Sequence, residues 1–106
     1  MADSDIVIVG TGIHPFGRFE SSPEELGFVA ARQALDEAGL EWLDIQTAYL
    51  SRMYLPATSG ARILRRLGST DIPIVDIEAA CASGGAALRQ AVIAIRSGEV
   101  DTALVL

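Results

Sequence analysis

Short apolar runs alternate along this chain with longer stretches in which apolar residues recur at helical spacing. The short runs predict four strands, over residues 5–10, 46–51, 72–77 and 101–106, of which the second has the weakest pattern. The longer stretches predict three helices, over residues 23–38, 59–67 and 82–97. In the third strand we expect pairing to begin at Ile74, because Pro73 has no N–H to donate to a neighbouring strand.

The first helix has the clearest boundaries. Ser22 can cap its N-terminus, Pro23 suits the first helical position, and Glu25 stands three residues after Ser22, as in a capping box. Gly39 is a typical residue for the C-terminal stop. These signals predict a helix that fills the interval between the two residues Ser22 and Gly39.

The predicted order is β-α-β-α-β-α-β, which is typical of an α/β fold with a mostly parallel sheet, right-handed crossovers and flanking helices. We therefore expect residues 1–106 to form one partial domain with four strands and three helices. The last predicted strand ends in Ala103-Leu-Val-Leu106 with no polar residue after it. Because a strand of a parallel sheet normally leads into more chain, we expect the sequence to be a truncated part of a longer protein.

Composition excludes several classes of function. The 106 residues hold fourteen acids and eight bases, a net charge of -6, so general nucleic-acid binding is not expected. All eight bases are Arg, which excludes a Schiff-base lysine and a Gly-Lys-Ser/Thr phosphate loop. One Cys and one His cannot build an internal disulfide or a multi-ligand zinc site, so no metal is expected.

The same sequence bears on location. No apolar run approaches the roughly 20 residues that a membrane-spanning helix needs, so we expect no membrane span. The first five residues carry two acids and no base, which does not fit a secretory signal or a transit peptide. The expected compartment is therefore the cytoplasm.

The candidate chemistry lies in residues 78–87, Glu-Ala-Ala-Cys-Ala-Ser-Gly-Gly-Ala-Ala, where the third strand leads into the third helix. Cys81 falls at the start of that helix, where the helix dipole stabilises a thiolate and free N–H groups can receive an oxyanion. Gly84 and Gly85 let a ligand or another backbone approach closely. The alternative is a buried structural cysteine on a tightly packed helix.

Other charged residues lie close to this segment in sequence. Asp76 and Glu78 are two apart on the third strand and so point to one face, either as an acid pair or as hydrogen-bond acceptors. Two interpretations are open for the four residues Arg52, Arg62, Arg65 and Arg66: they contact phosphates, or they form a solvated helix face or a subunit contact.

The Cys81 segment, together with residues 91–98, Ala-Val-Ile-Ala-Ile-Arg-Ser-Gly, closely resembles the nucleophile segment of thiolases. It is most similar to the acetyl-CoA acetyltransferases of the sterol-carrier-protein type. Residues 8–12, Ile-Val-Gly-Thr-Gly, residues 14–19, His-Pro-Phe-Gly-Arg-Phe, and residues 34–40, Ala-Leu-Asp-Glu-Ala-Gly-Leu, also resemble that family. The resemblance covers essentially the whole chain, and the Cys81 segment is its specific part.

The resemblance implies that Cys81 is the nucleophile, which takes an acyl group from acyl-CoA as a thioester. That acyl group is then joined to a second acyl-CoA by Claisen condensation, or the enzyme catalyses the reverse reaction, thiolytic cleavage. Ser83, Gly84 and Gly85 are implied to shape the substrate pocket through their backbone. Acyl-CoA is then a substrate rather than a permanently bound cofactor, and the complete protein is expected to be a homodimer or homotetramer.

The family's second cysteine, its activating histidine and its histidine-asparagine segment have no counterpart here. The chain has one Cys, no Asn, and a single His at position 14 in the early loop. We therefore expect an enzyme as the complete protein and an inactive chain on its own. The alternatives are a ketoacyl synthase III-type condensing enzyme, a thiolase-like aldolase or lyase, and a non-catalytic subunit that needs a partner chain.

Overall fold

Three helices and a three-stranded sheet are present in the computed structural model, which describes residues 5–68 and 70–106. In chain order the elements are α1 (Pro23–Ala38), β1 (Thr47–Ser51), α2 (Ser59–Leu64), β2 (Ile74–Ile77), α3 (Ser83–Arg96) and β3 (Ala103–Val105). Two turns of 3-10 helix, Trp42–Asp44 and Arg65–Leu67, precede β1 and extend α2. Every predicted helix is therefore found, and β2 begins at Ile74 as predicted.

The boundaries of α1 follow from its local sequence. The Ser22 hydroxyl oxygen accepts a hydrogen bond from the backbone N–H of Glu25 at 3.2 Å, and Pro23 occupies the first turn. Gly39 ends the helix in the left-handed region with φ 70°, and its N–H donates to the Asp36 carbonyl at 3.2 Å. A complete capping box would also have the Glu25 side chain accept from the Ser22 N–H. Among the described residues, only the bond to the Ser22 hydroxyl is found.

The strands are parallel and lie in the order β2-β1-β3. Ala48 of β1 stands opposite Ile74 on one side and Leu104 on the other. The prediction of a parallel α/β sheet flanked by helices is confirmed, but the predicted first strand is not part of it. Both edges of β1 are already paired, with β2 and β3.

Residues 5–10 instead run beside α1. Val7, Ile8 and Val9 are exposed at 67%, 71% and 58%, so the prediction of a buried strand here is wrong. A Cβ added to Gly10 would overlap the carbonyl oxygen of Ala34 in α1, which shows how closely the segment approaches the helix backbone. A β-branched run favours strand geometry, but it becomes a strand only when its backbone pairs with a neighbouring strand, and here it pairs with neither β2 nor β3.

The main core lies where α1, α2 and the sheet meet. Its buried members are Ala31, Leu35, Trp42, Ile45, Ala48, Leu50, Ile63, Leu64 and Leu104. The indole N–H of Trp42 donates to the Gly68 carbonyl at 3.1 Å, which satisfies the polar atom of this buried ring. α3 packs on β1 and β3 through small buried residues, Ala87, Ala91 and Ala94, and leaves Leu88 45% exposed.

A cavity of about 520 Å³ lies between α1, α3, β3 and the segment 6–12. Its walls are mainly apolar, and none of the residues 78–85 lines it. Within the described residues, no helix is both long and apolar enough to cross a membrane.

Candidate functional site

The candidate nucleophile lies at the carboxyl edge of the sheet, where ligands of parallel α/β sheets usually bind. β2 ends at Ile77, and the chain turns through residues 78–82 into α3 at Ser83. The loop 52–58 that follows β1 lies at the same edge, since the N–H of Arg52 donates to the Ile77 carbonyl at 2.9 Å. The end of β3 joins them, because the Ser51 hydroxyl donates to the Leu106 carbonyl at 2.8 Å.

Strained backbone is concentrated at this edge. In the described chain, the non-glycine residues with positive φ are Tyr54 at 68°, Thr58 at 63° and Ala80 at 50°. The first two lie in the loop after β1, and the third immediately precedes Cys81. Such conformations cost about 1–3 kcal/mol each and tend to gather at functional sites. The carboxyl edge is thus singled out by backbone conformation as well as by topology.

Cys81 is exposed and lies one residue before the N-cap of α3, Ala82. The interpretation of Cys81 as a buried structural cysteine is therefore wrong for this chain. Its position agrees with the prediction from the sequence, at the junction of a strand end and a helix start. A thiol placed there is accessible to a reagent or an acyl donor.

The start of α3 has unpaired backbone donors. Ala82 provides no side-chain cap, while the N–H of Ser83 donates to the Ala80 carbonyl at 3.2 Å. Within the described part of the chain, the N–H groups of Gly84 and Gly85 have no hydrogen-bond acceptor. Two free donors at a helix start, close in sequence to an exposed thiol, are suited to an anion such as a thiolate or an oxyanion.

Gly84 and Gly85 also leave open space. A Cβ built on either residue would meet no heavy atom of the described chain within 4 Å, apart from its own helix backbone. Packing within this chain therefore does not require glycine at either position. Their predicted role in shaping a substrate pocket stays a prediction.

Ser83 differs from its glycine neighbours because it is only 5% exposed. Its hydroxyl oxygen accepts a hydrogen bond from the Ala79 N–H at 2.7 Å and lies 2.7 Å from the Ala80 carbonyl oxygen. The Arg52 carbonyl oxygen is 3.2 Å away. The side chain is thus engaged with the protein backbone, so the predicted pocket role of Ser83 concerns its backbone alone.

Asp76 and Glu78 have different environments and do not act together. Asp76 accepts a hydrogen bond from the Gly60 N–H at 3.0 Å, and its other oxygen lies 3.6 Å from Arg52 Nε. The Glu78 carboxylate is exposed and accepts from the Ala80 N–H, inside the turn. The ion pair between Arg52 and Asp76 was not predicted from the sequence. A signal was present, because β1 pairs in parallel with β2 and Arg52 directly follows the strand residue opposite Ile77.

His14 lies in the early loop and does not contact the turn. Its Nδ1 atom is 2.9 Å from the Pro15 carbonyl oxygen, and its ring meets Phe19 edge-on with centroids 4.7 Å apart. Phe16, two residues after His14, is 90% exposed. Among the described residues, no group of three or more His, Cys, Asp and Glu side chains could hold a metal ion.

The sequence matches one protein-family model and several known proteins over most of its length. The family model for the thiolase N-terminal domain matches residues 6–106. The chain is 37% identical over 107 residues to an acetyl-CoA acetyltransferase of Methanocaldococcus jannaschii, covering 95% of this chain and 27% of that protein. It is 31% identical over 105 residues to sterol carrier protein 2 of Gallus gallus, covering 95% of this chain and 19% of that protein.

Among solved structures, a 3-oxoacyl-[acyl-carrier-protein] synthase III from Aquifex aeolicus superposes with a TM-score of 0.67 at 27% identity. The match covers 76% of this chain and 27% of that one. The chain therefore spans about a quarter or less of the length of the relatives it matches.

Proposed function

Because the chain belongs to the thiolase family, whose N-terminal domain it matches over residues 6–106, we propose that it carries the nucleophile of a thiolase-type acyl-CoA acyltransferase. The single observation that supports this best is the place of Cys81. Its exposed thiol precedes a helix start with two unpaired N–H groups, at the carboxyl edge of a parallel sheet. A nucleophile and donors for an oxyanion are the two elements that acyl transfer requires.

In the proposed first step, the Cys81 thiolate attacks the thioester carbonyl of acyl-CoA. A new bond forms between its sulfur and the carbonyl carbon, and negative charge moves to the carbonyl oxygen, where the N–H groups of Gly84 and Gly85 can stabilise it. The tetrahedral intermediate collapses, the bond to the CoA sulfur breaks, and CoA leaves as a thiolate that takes up a proton. The product is an acyl thioester on Cys81.

In the proposed second step, the acyl group passes to the α-carbon of a second acyl-CoA. A base supplied from outside these 106 residues takes a proton from that α-carbon. The resulting carbanion attacks the Cys81 thioester, a carbon–carbon bond forms, and the Cys81 sulfur leaves as a thiolate. Thiolysis is the same sequence in reverse. The supporting relatives are the acetyl-CoA acetyltransferase of M. jannaschii and the matched family domain.

The base that deprotonates Cys81 is proposed to come from outside these 106 residues. The chain contains a single histidine, and that ring contacts Pro15 and Phe19 rather than the turn. A histidine base must therefore be supplied by further sequence of the same protein or by another chain. We accordingly propose that turnover requires a larger assembly, either a homodimer or homotetramer of the complete protein or a complex with a complementary chain.

The test is transfer of a labelled acyl group from acetyl-CoA to the protein that carries this chain. Labelling of the wild type and its loss in Cys81→Ala would support the proposal. Cys81→Ser is a second variant, since it keeps the shape of the side chain but replaces the thiol with a much weaker nucleophile. Equal labelling of the wild type and Cys81→Ala would refute the assignment of Cys81.

A ketoacyl synthase III-type condensing enzyme is the second candidate, supported by the structural match to the A. aeolicus synthase. It would use the same cysteine but take one acyl group from a carrier-protein thioester. Competition between acetyl-CoA and an acetylated carrier protein separates the two candidates. Condensation of the Cys81 acyl group with acetyl-CoA as the second substrate favours the thiolase, whereas condensation only with the carrier-protein thioester favours the synthase.

A further inference from the structure

Ser83 is the first residue of α3 and one of the few buried polar residues in the described chain. A serine hydroxyl has one proton to donate and two lone pairs that accept. Here one lone pair receives the Ala79 N–H at 2.7 Å. The proton faces two carbonyl oxygens, Ala80 at 2.7 Å and Arg52 at 3.2 Å, and the shorter distance favours Ala80.

These contacts hold the turn that presents Cys81. Ala79 and Ala80 are the two residues before the cysteine, and Ala80 has the strained φ of 50°. A non-glycine residue keeps such a conformation only when its surroundings fix it. The Ser83 hydroxyl bonds on both sides of that strained residue, to the N–H of Ala79 and to the Ala80 carbonyl.

The contact with the Arg52 carbonyl extends the same network to the end of β1. Arg52 is itself held from two directions, by its backbone N–H on the Ile77 carbonyl and by its guanidinium beside Asp76. The turn is therefore anchored to the ends of both β1 and β2. Such an anchor fixes where the turn lies relative to the sheet edge.

We propose that Ser83 is a positioning residue for Cys81, which it serves through the backbone of Ala79 and Ala80 rather than by touching the substrate. This inference rests on the proposed function, because positioning matters only if Cys81 reacts. A reacting group displaced by about 1 Å can lose as much as a hundredfold in rate, so the loss of one anchoring hydroxyl can affect the chemistry from a buried site.

The test compares Ser83→Ala, Ser83→Thr and Ser83→Val in the full chain. Threonine and valine have nearly the same shape, but only threonine keeps the hydroxyl, so the pair separates the hydrogen bonds from the packing. Ser97→Ala is the matched control, since the Ser97 hydroxyl donates to the Ala94 carbonyl at 2.8 Å at the far end of the same helix.

The first readout is the second-order rate constant for alkylation of Cys81 by iodoacetamide, measured on protein that unfolds with a single cooperative transition. We expect a decrease of about tenfold in Ser83→Ala and Ser83→Val, because a displaced turn carries the thiol away from the free N–H groups at the start of α3, which favour the reactive thiolate. We expect recovery in Ser83→Thr and no change in Ser97→Ala. If Ser83→Ala does not fold, the comparison of threonine with valine decides the question. Equal rates for those two variants, or faster alkylation in Ser83→Val, would overturn the proposal.

The second readout is single-turnover acylation of Cys81 over a range of acetyl-CoA concentrations. A positioning role predicts a lower limiting rate with an unchanged half-saturating concentration. A rise in the half-saturating concentration alone would show that Ser83 contacts the substrate and would overturn the proposal. Absence of acylation in the wild type would refute the proposed function. The alkylation rates would still test, independently, whether Ser83 positions Cys81.

Discussion

Arg52 Nε lies 3.6 Å from Asp76 Oδ2 at the carboxyl ends of neighbouring strands, and neither atom has a hydrogen-bond partner among the described residues. The Asp76 side chain is 15% exposed and that of Arg52 is 28% exposed. This partly buried pair lies at the base of the loop that follows β1. Asp76 also accepts the Gly60 N–H, so it ties that loop to the start of α2.

Removal of the Asp76 carboxylate is expected to destabilise the fold. Asp76→Ala leaves the Gly60 N–H without its acceptor and the Arg52 guanidinium without the neighbouring negative charge, and we expect a loss of about 2 kcal/mol in the free energy of unfolding. Asp76→Asn keeps an acceptor for Gly60 and should lose about half as much. Urea denaturation followed by circular dichroism measures both values.

The control for this prediction is Asp36→Ala. Asp36 pairs with Arg32 at 3.3 Å on the surface of α1, where its side chain is 68% exposed. Exposed helix pairs of this kind contribute about 0.3–0.5 kcal/mol, so the control should change stability little. If Asp76→Ala lowers the free energy of unfolding as little as Asp36→Ala does, the partly buried pair and the bond to Gly60 contribute no more to stability than an exposed helix pair.

Glycine in the first turn of α3 is expected to be retained for function rather than for folding. Gly84→Ala places its methyl group in open space, so we expect the free energy of unfolding to rise by up to about 1 kcal/mol. The same methyl group lies in the first turn of α3, three residues after Cys81, where we propose that the oxyanion binds, and we expect acylation by acetyl-CoA to slow. Thermal unfolding and the acylation rate, measured on one preparation, test both expectations.

Gly27→Ala in α1 is expected to destabilise the fold, in contrast to Gly84→Ala. Its Cβ would lie 2.8 Å from Ile63 Cγ2, in a core where Ile63 is 3% exposed. Overpacking of this kind costs about 1–3 kcal/mol, so this variant should unfold at a lower temperature than the wild type. Destabilisation by Gly84→Ala as well would show that folding requires glycine at this position. Unchanged acylation in Gly84→Ala would show that the space at the start of α3 has no role in substrate access.

Hydrogen exchange distinguishes the apolar run at residues 5–10 from the strands. Among the described residues, the N–H groups of Val7 and Ile8 have no acceptor, whereas the Ala48 N–H donates to the Pro73 carbonyl at 3.0 Å. We expect the first two amides to exchange at rates close to those of an unfolded chain. The Ala48 amide should exchange on the order of a thousandfold more slowly. Equal protection of Ile8 and Ala48 would show that the run pairs as a fourth strand.

These cases indicate which parts of the molecule the sequence could predict. The ends of α1 depend on Ser22, Pro23 and Gly39, which act on their own neighbours, and they were predicted correctly. The start of β2 at Ile74 follows from the missing N–H of Pro73, again a local effect. The place of Cys81 before α3 was predicted because a strand end and a helix start are both visible in the local pattern.

The features that were not predicted correctly from the sequence depend on contacts between residues that are far apart along the chain. The fate of residues 5–10 depends on which edges of β1 are taken, and that choice is made by β2 and β3, far along the chain. Likewise, the Ser83 hydroxyl meets the Arg52 carbonyl across 31 positions of sequence. Periodicity shows which residues favour a strand or a helix, but it does not identify their partners.

The most direct test of the central claim is an intact mass spectrum of the folded protein that carries this chain, recorded with and without acetyl-CoA, for the wild type and Cys81→Ala. Alkylation by iodoacetamide in parallel establishes that the thiol is accessible. We predict a single acetyl adduct on the wild type, none on Cys81→Ala, and no repeated turnover by the chain alone. An adduct that persists in Cys81→Ala, or no adduct on folded wild type whose Cys81 is alkylated readily, would contradict the assignment of Cys81 as the acyl-accepting nucleophile.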